Sequence, residues 1–257
     1  MRRVLFALCF AAACSSGGAT PRDAGVDLAE DLPDDLPPGA FRILLFSRTT
    51  AYRHESIPVA IDALTALGPA NGYVAEASED PAVFTAAGLG RYQVVVFLMT
   101  TGDPLDDGAQ AAFEAWIGGG GNYVGIHSAA DTEYNWPFYG QLVGAYFKQH
   151  PAIQPATINV EVADHPATAA LPSPWMRTDE WYDFQSNPRA TTTVLITVDE
   201  STYTGGMMGA DHPIAWAHPT GGGGRAIYTA MGHTAESYAD PSFKQHLVGA
   251  IRWAAGF

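Results

Sequence analysis

The sequence predicts a doubly wound α/β domain: a mostly parallel sheet with helices on both faces. Three observations carry this. The run YQVVVFLM at 92–99 is apolar, continuous and rich in β-branched residues, as a strand covered on both faces must be. The segment AQAAFEAWI at 109–117 has the composition of a helix. From residue 41 onward, strand and helix signals alternate, which is the order of βαβ units.

In chain order, FRILLFS at 41–47 reads as a buried strand, followed by a polar loop containing Tyr52, Arg53, His54 and Glu55. Ser56 is placed to cap a helix with Pro58 in its first turn, running to about 67 and stopping at Gly68. A strand is expected at 73–77 and a short helix from Asp80-Pro81 to about 87. The strand at 92–99 opens into the edge loop Thr100-Thr101-Gly102-Asp103, and a helix starts at Asp107-Gly108. Four glycines at 118–121 end it before a strand at 123–126. A short helix follows Trp136-Pro137 and ends near Gly144; 147–151 reads as a loop and 157–162 as a more exposed strand. Further strands are expected at 192–198 and 225–231, the second preceded by a glycine turn at 221–224. Asp240 or Ser242 begins an amphipathic closing helix through Trp253, and no internal repeat is visible.

Ahead of this domain, residues 1–14 read as an export signal: Arg2-Arg3, then an apolar core too short to span a bilayer. Ala11-Ala12-Ala13-Cys14 resembles a bacterial lipobox with Cys14 as the lipidated residue, although Ala11 stands where Leu is usual. Residues 15–40 hold four prolines, six acidic residues and no aromatic residue, the composition of an acidic Pro-rich tether without a core. The expected arrangement is therefore an exported protein, lipid-anchored in the cell envelope, with residues 41–257 as the folded domain.

Composition excludes several functions. Acidic residues number 27 against 13 basic, with no basic run beyond Arg3, which argues against nucleic acid and suits a neutral ligand such as a sugar. Both cysteines, Cys9 and Cys14, precede the domain, so it has no cysteine nucleophile, thiolate metal site or disulfide.

The stretch GGGGNYVGIHSAAD at 118–131 organises the candidate site. A short strand breaking into small residues puts the next side chain at the sheet's carboxyl edge, where α/β proteins bind ligands. A nucleophile elbow has the same strand–turn–helix geometry, but here the elbow residue is His127, followed by Ser128. No Gly-x-Ser-x-Gly frames Ser128, and no Gly-Lys-Ser/Thr follows the glycines, so neither a serine nucleophile nor a phosphate loop is expected. His233 follows the last strand and His54 the first. Glu180 lies beside Trp181 and Tyr182; Asp179 and Glu180 have an alternative use as caps or partners of Arg177. Asp131, His150 and His212 complete the candidates, each with a structural alternative: an N-cap, a His-Pro turn, and packing beside Pro213 and Trp216. His165, His218 and His246 are expected at the surface.

In order, YRHES, GGGGNYVGIHSAAD, GAYFKQHP, DEWYDF, DHPIAW and GRAIYTAMGHTAESY resemble the ThuA-like (trehalose utilisation) family over about residues 41–256. The resemblance implies the flavodoxin-like fold of class I glutamine amidotransferases. In those enzymes a Cys fills the elbow and a His with a nearby Glu completes the triad; here His127 fills it, and His233 with Glu236 matches the His and Glu. Without the thiol, thioester chemistry is excluded. The family is associated with 3-keto sugars made by a partner dehydrogenase. A C3 ketone acidifies the C2 proton, so a base can remove it and the glycosidic oxygen can leave C1. On this resemblance His127, Glu180 and His233 are candidates for base and acid, and His54 for stabilising the oxyanion. A divalent metal on His54, His127 and Glu180 is the alternative oxyanion stabiliser. Trp181 and Tyr182 are candidates for stacking on the sugar, with Ser128, Asp131, His150 and His212 lining it. The competing functions are a non-catalytic sugar-binding lipoprotein and a metal-dependent hydrolase of a non-sugar substrate.

Overall fold

A computed structural model describes residues 36–257, so the signal and lipidation expectations at residues 1–14, Cys14 included, and nearly all of the tether lie outside the described residues. In chain order the main elements are β1 (Phe41–Phe46), α1 (Ile57–Asn71), β2 (Tyr73–Ser78), α2 (Ala86–Leu89), β3 (Val94–Leu98), α3 (Asp107–Gly118) and β4 (Asn122–Ile126). There follow α4 (Pro137–Val143), β5 (Phe147–Gln149), β6 (Gln154–Val160), β7 (Trp175–Asp179), β8 (Asp183–Phe184), β9 (Thr193–Asp199), β10 (Pro213–Pro219), β11 (Arg225–Thr229) and α5 (Pro241–Ala255). Among the described residues no helix is long and apolar enough to cross a membrane.

Nine strands form one sheet in the order β2-β1-β3-β4-β11-β10-β9-β6-β7. The first five are parallel, and the remaining pairings are antiparallel. Because β10 and β6 alone run backwards, seven strands point their carboxyl ends to the same rim. Every residue of β1 and β3 is buried, as the continuous apolar runs require when both faces are covered. Phe113 of α3 and Tyr139 of α4 pack on Phe97 of β3. Helix α5 closes against β4, β11 and α1.

Helix α1 runs past the expected stop at Gly68. It ends at Asn71, where Gly72 takes the left-handed cap at φ +76° and its N–H bonds back to the Gly68 carbonyl. Ser56 holds the N-cap position, but its hydroxyl makes no capping bond. It donates instead to the His233 carbonyl at 2.6 Å, tying the loop after β1 to the loop after β11.

The antiparallel half curls over the rim. Four strand spacings, roughly 19 Å in a flat sheet, separate β7 from β11. Yet Asp179, at the end of β7, accepts the backbone N–H groups of Gly232 and His233 at 2.9 and 3.1 Å, just past β11. Register shifts between β10 and β9 around Ala215 mark the irregularity, a type that increases local twist.

Candidate active site

Strand β4 ends at Ile126, and His127 turns the chain at φ +52° into a 3₁₀ turn, His127–Ala130. A left-handed non-glycine residue costs about 1–2 kcal/mol. Two bonds hold it there: Tyr228 Oη donates to the His127 carbonyl at 2.7 Å, and His127 Nδ1 donates to the Ala230 carbonyl at 2.7 Å. The elbow geometry is thus present with an imidazole as its side chain. With Nδ1–H committed to Ala230, Nε2 points toward His233 and Glu180.

Three other strand ends deliver the partners. After β11, Gly232 at φ +111° turns the chain so that His233 Nδ1 lies 3.0 Å from His127 Nε2. A Cβ at Gly232 would crowd the Tyr238 hydroxyl. After β1, His54 places its ring 4.8 Å from that of His127 and 5.0 Å from that of His233, edge-on to both. After β7, Glu180 Oε2 lies 3.1 Å from His233 Nδ1 and 3.4 Å from His127 Nε2, while its Oε1 lies 3.1 Å from His150 Nδ1. One ligand atom from each of His54, His127, Glu180 and His233 falls within 4.8 Å of all the others.

Asp179, fully buried, fixes this assembly. It accepts the N–H groups of Gly232, His233 and Glu180 and pairs with Arg177 at 2.8 Å. The alternative use foreseen for the acidic pair therefore falls to Asp179, and Glu180 is free to face the imidazoles.

Burial pushes His54 down to about 3, helped by the neighbouring His127 and His233. Burial alone would raise the Glu180 carboxyl, but hydrogen bonds and charge from His127 and His233 outweigh it and hold Glu180 below the ordinary carboxylate range. For His233 burial acts downward, and the bond and charge of Glu180 overcome it, so its pKa is raised. Asp131 is raised by burial, against the opposing bond from Tyr134. Exposure rises across the cluster from His127, fully buried, to His150, whose side chain is 40% exposed.

His54, His127, Glu180, His233 and His150 thus converge as expected. Other expectations need correction. Trp181 is fully buried and donates its Nε1–H to the Gln154 carbonyl, and Tyr182 is buried with its ring 4.4 Å from that of His127. Neither offers an open face to a sugar; Tyr182 backs the imidazole. His212 is buried too, its Nε2 2.8 Å from the Tyr182 carbonyl and its Nδ1 2.8 Å from Glu200 Oε1, so it braces the 180–184 segment from behind. Ser128 is buried with its hydroxyl 3.4 Å from His54 Nδ1, orienting that ring instead of lining the cleft. Asp131 ends the 3₁₀ turn and accepts the Tyr134 hydroxyl at 2.7 Å, where an N-cap was the alternative. Glu236 is exposed; the carboxylate on His233 comes from Glu180. His246, expected at the surface, is fully buried with Nδ1 2.8 Å from the Ala167 carbonyl.

Sequence reasoning missed the exposed aromatics near the cleft. Tyr52 is 62% exposed with its ring 4.8 Å from that of His54, and Tyr134 is 39% exposed beside Asp131. The available signal was Tyr52's place two residues ahead of a candidate His.

The family model ThuA, described as trehalose utilisation, matches residues 42–254. A ThuA-like protein from Bacteroides uniformis is 26% identical, with TM-score 0.71 over 87% of this chain and 95% of its own. A ThuA-like protein from Parabacteroides merdae is 19% identical, with TM-score 0.71 over 84% of this chain and 90% of its own. A β-galactosidase from Bacillus circulans is similar in fold, at 16% identity and TM-score 0.55 over 86% of this chain but 32% of its own. No curated protein matches. With the family model matched over nearly the whole described domain, the chain belongs to the ThuA trehalose-utilisation family.

Proposed function

We propose that the protein converts a carbohydrate bearing a ketone at C3, splitting a 3-keto-disaccharide or related glycoside by acid/base chemistry. The observation that carries this is the convergence of three imidazoles and one carboxylate at the carboxyl rim, in a family tied to trehalose use. Elimination needs a polarised C3 carbonyl, a base for the C2 proton and an acid for the oxygen leaving C1. The C2–H bond breaks and its electron pair moves onto the C3 oxygen as an enediolate. The carbonyl reforms as the C1–O bond breaks and the departing oxygen takes a proton; water then adds across C1–C2 to complete hydrolysis.

The residues divide naturally between these tasks. His54, His127, Glu180 and His233 form a closed cluster in which the proton shared by His233 and Glu180, or a cation in its place, faces the developing oxyanion. His150, exposed and 3.1 Å from the same carboxylate, exchanges protons with substrate and solvent. Tyr52 and Tyr134 give the sugar exposed aromatic faces near the opening. A partner dehydrogenase supplies the 3-keto substrate, and export with a lipid anchor at Cys14 places both proteins in the cell envelope.

The test is turnover of a 3-keto-disaccharide by His127→Ala, with folding checked by circular dichroism. A loss of about 10²-fold or more is expected. Turnover at the parent rate removes the cluster from the reaction.

A further inference from the structure

The same four side chains have the dimensions of a metal site. His127 Nε2, His233 Nδ1 and Glu180 Oε2 form a triangle with edges of 3.0, 3.1 and 3.4 Å. Donors bonded to one ion at about 2.1 Å stand about 3.0 Å apart at a right angle and about 3.4 Å apart at a tetrahedral angle. The triangle is therefore the size of one face of a coordination polyhedron, and a ligand atom of His54 lies within 4.8 Å of all three corners, close enough to close the shell after a small inward shift to the trans limit of about 4.2 Å.

Three donor atoms converge on this face. His127 Nδ1–H is committed to the Ala230 carbonyl, so Nε2 is the atom left to face His233 and Glu180. A carboxylate oxygen and the second imidazole nitrogen crowd the same space. A dication at the centre meets all three corners. The surroundings also match. A backbone carbonyl fixes the tautomer of His127, the Ser128 hydroxyl lies against His54, and His150 holds the second oxygen of Glu180. Such outer partners orient metal-ligating imidazoles and carboxylates.

Among the described residues the other cluster of this kind, Asp183, Glu200 and His212, differs in being internally satisfied. Asp183 accepts from Met207 N and Gln149 Nε2, Glu200 accepts from Met208 N, and His212 is held between Glu200 and the Tyr182 carbonyl. It is a strut.

We propose that His54, His127, Glu180 and His233 bind one divalent first-row transition-metal ion. Three imidazole nitrogens and one carboxylate oxygen suit zinc, iron or a neighbouring metal over magnesium or calcium, which prefer all-oxygen shells. The ion's part in sugar conversion rests on the reading above; its binding does not. Bound there, it polarises the C3 carbonyl and holds the enediolate as a Lewis acid.

The full chain, stripped with chelator and dialysed, is titrated with Zn²⁺ by calorimetry and with Co²⁺ by visible absorption. One ion per chain is expected, with a ligand-field spectrum of mixed nitrogen and oxygen donors. His127→Ala weakens binding at least about 100-fold, and Glu180→Gln, which keeps shape and volume, at least about 10-fold with the circular dichroism spectrum unchanged. His212→Gln leaves the stoichiometry at one. No saturable binding below millimolar ion overturns the site, as does parent affinity in both His127→Ala and Glu180→Gln. If the ion binds at these residues and no 3-keto sugar is turned over, the metal site stands and the carbohydrate reading falls. If metal-free protein turns over the sugar at full rate and takes up no ion on titration, the reverse holds.

Discussion

Replacing Asp179 with Asn tests whether one buried carboxylate holds the site together. Its side chain accepts three backbone N–H groups, from Glu180, Gly232 and His233, and pairs with Arg177, which is itself buried. The substitution keeps the shape and removes the charge. Arg177 then keeps Asp240 at 3.8 Å, a longer and more exposed contact, as its one carboxylate, with the neutral Ser237 hydroxyl at 2.7 Å, and its Nε and Nη1 make no hydrogen bond to begin with. Stranding a buried charge in this way costs about 3–5 kcal/mol. The loop bearing His233 also loses its charged acceptor. The expected loss is about 4 kcal/mol, or roughly 8–16 °C in Tm for a domain of this size. Urea unfolding measures it as a lower midpoint at constant slope. A double-mutant cycle with Arg177→Met separates the pair from the backbone bonds: the double variant should recover most of the loss, because removing both charges removes the stranded one. A loss below about 1 kcal/mol for Asp179→Asn, or an Arg177→Met that adds to it in full, would refute the account of Asp179 as the latch.

Two more expectations concern particular residues. Burial lowers His54 to about 3 and His246 to about 4, so below about pH 6.5 the unfolded chain takes up protons that the native chain refuses, and stability falls as pH drops toward those values; in chelated protein His54→Gln should flatten that fall by up to about 1.4 kcal/mol per pH unit between about pH 6 and 4, seen by denaturant unfolding at each pH. Tyr52→Ala should raise KM for the sugar several-fold and leave kcat near the parent value, whereas an equal loss in kcat would move Tyr52 from docking to chemistry.

The parallel half was legible because its strands are largely apolar, and polar residues follow each of them. His54, His127 and His233 are found simply by looking just past the carboxyl end of an apolar run. The β7 strand was not legible. Its residues alternate buried and exposed, but two of its three inward positions are Arg177 and Asp179, which a hydrophobic pattern scores as surface. The same ion pair that hides the strand secures it. Trp181 and Tyr182 misled for the opposite reason: aromatics beside a carboxylate look like a sugar platform, and only the curl of the sheet shows them facing inward. The Ser56 hydroxyl, spent on the His233 carbonyl instead of a helix cap, is a tertiary bond that no local rule foresees.

The curled arm has a consequence for how this chemistry can change. The scaffold of five aligned strands contributes imidazoles alone; the acid comes from the curled arm, held to the sheet by the β6–β9 ladder and latched over the rim by Asp179. That arm, from Gln154 to Phe184, sets the charge and the donor count above the three rings, while its Tyr182 and Phe184 rings pack on His127 and Tyr228 beneath. The donor set can thus be altered at Glu180 alone, whereas a change at Tyr182 or Phe184 disturbs the parallel layer as well.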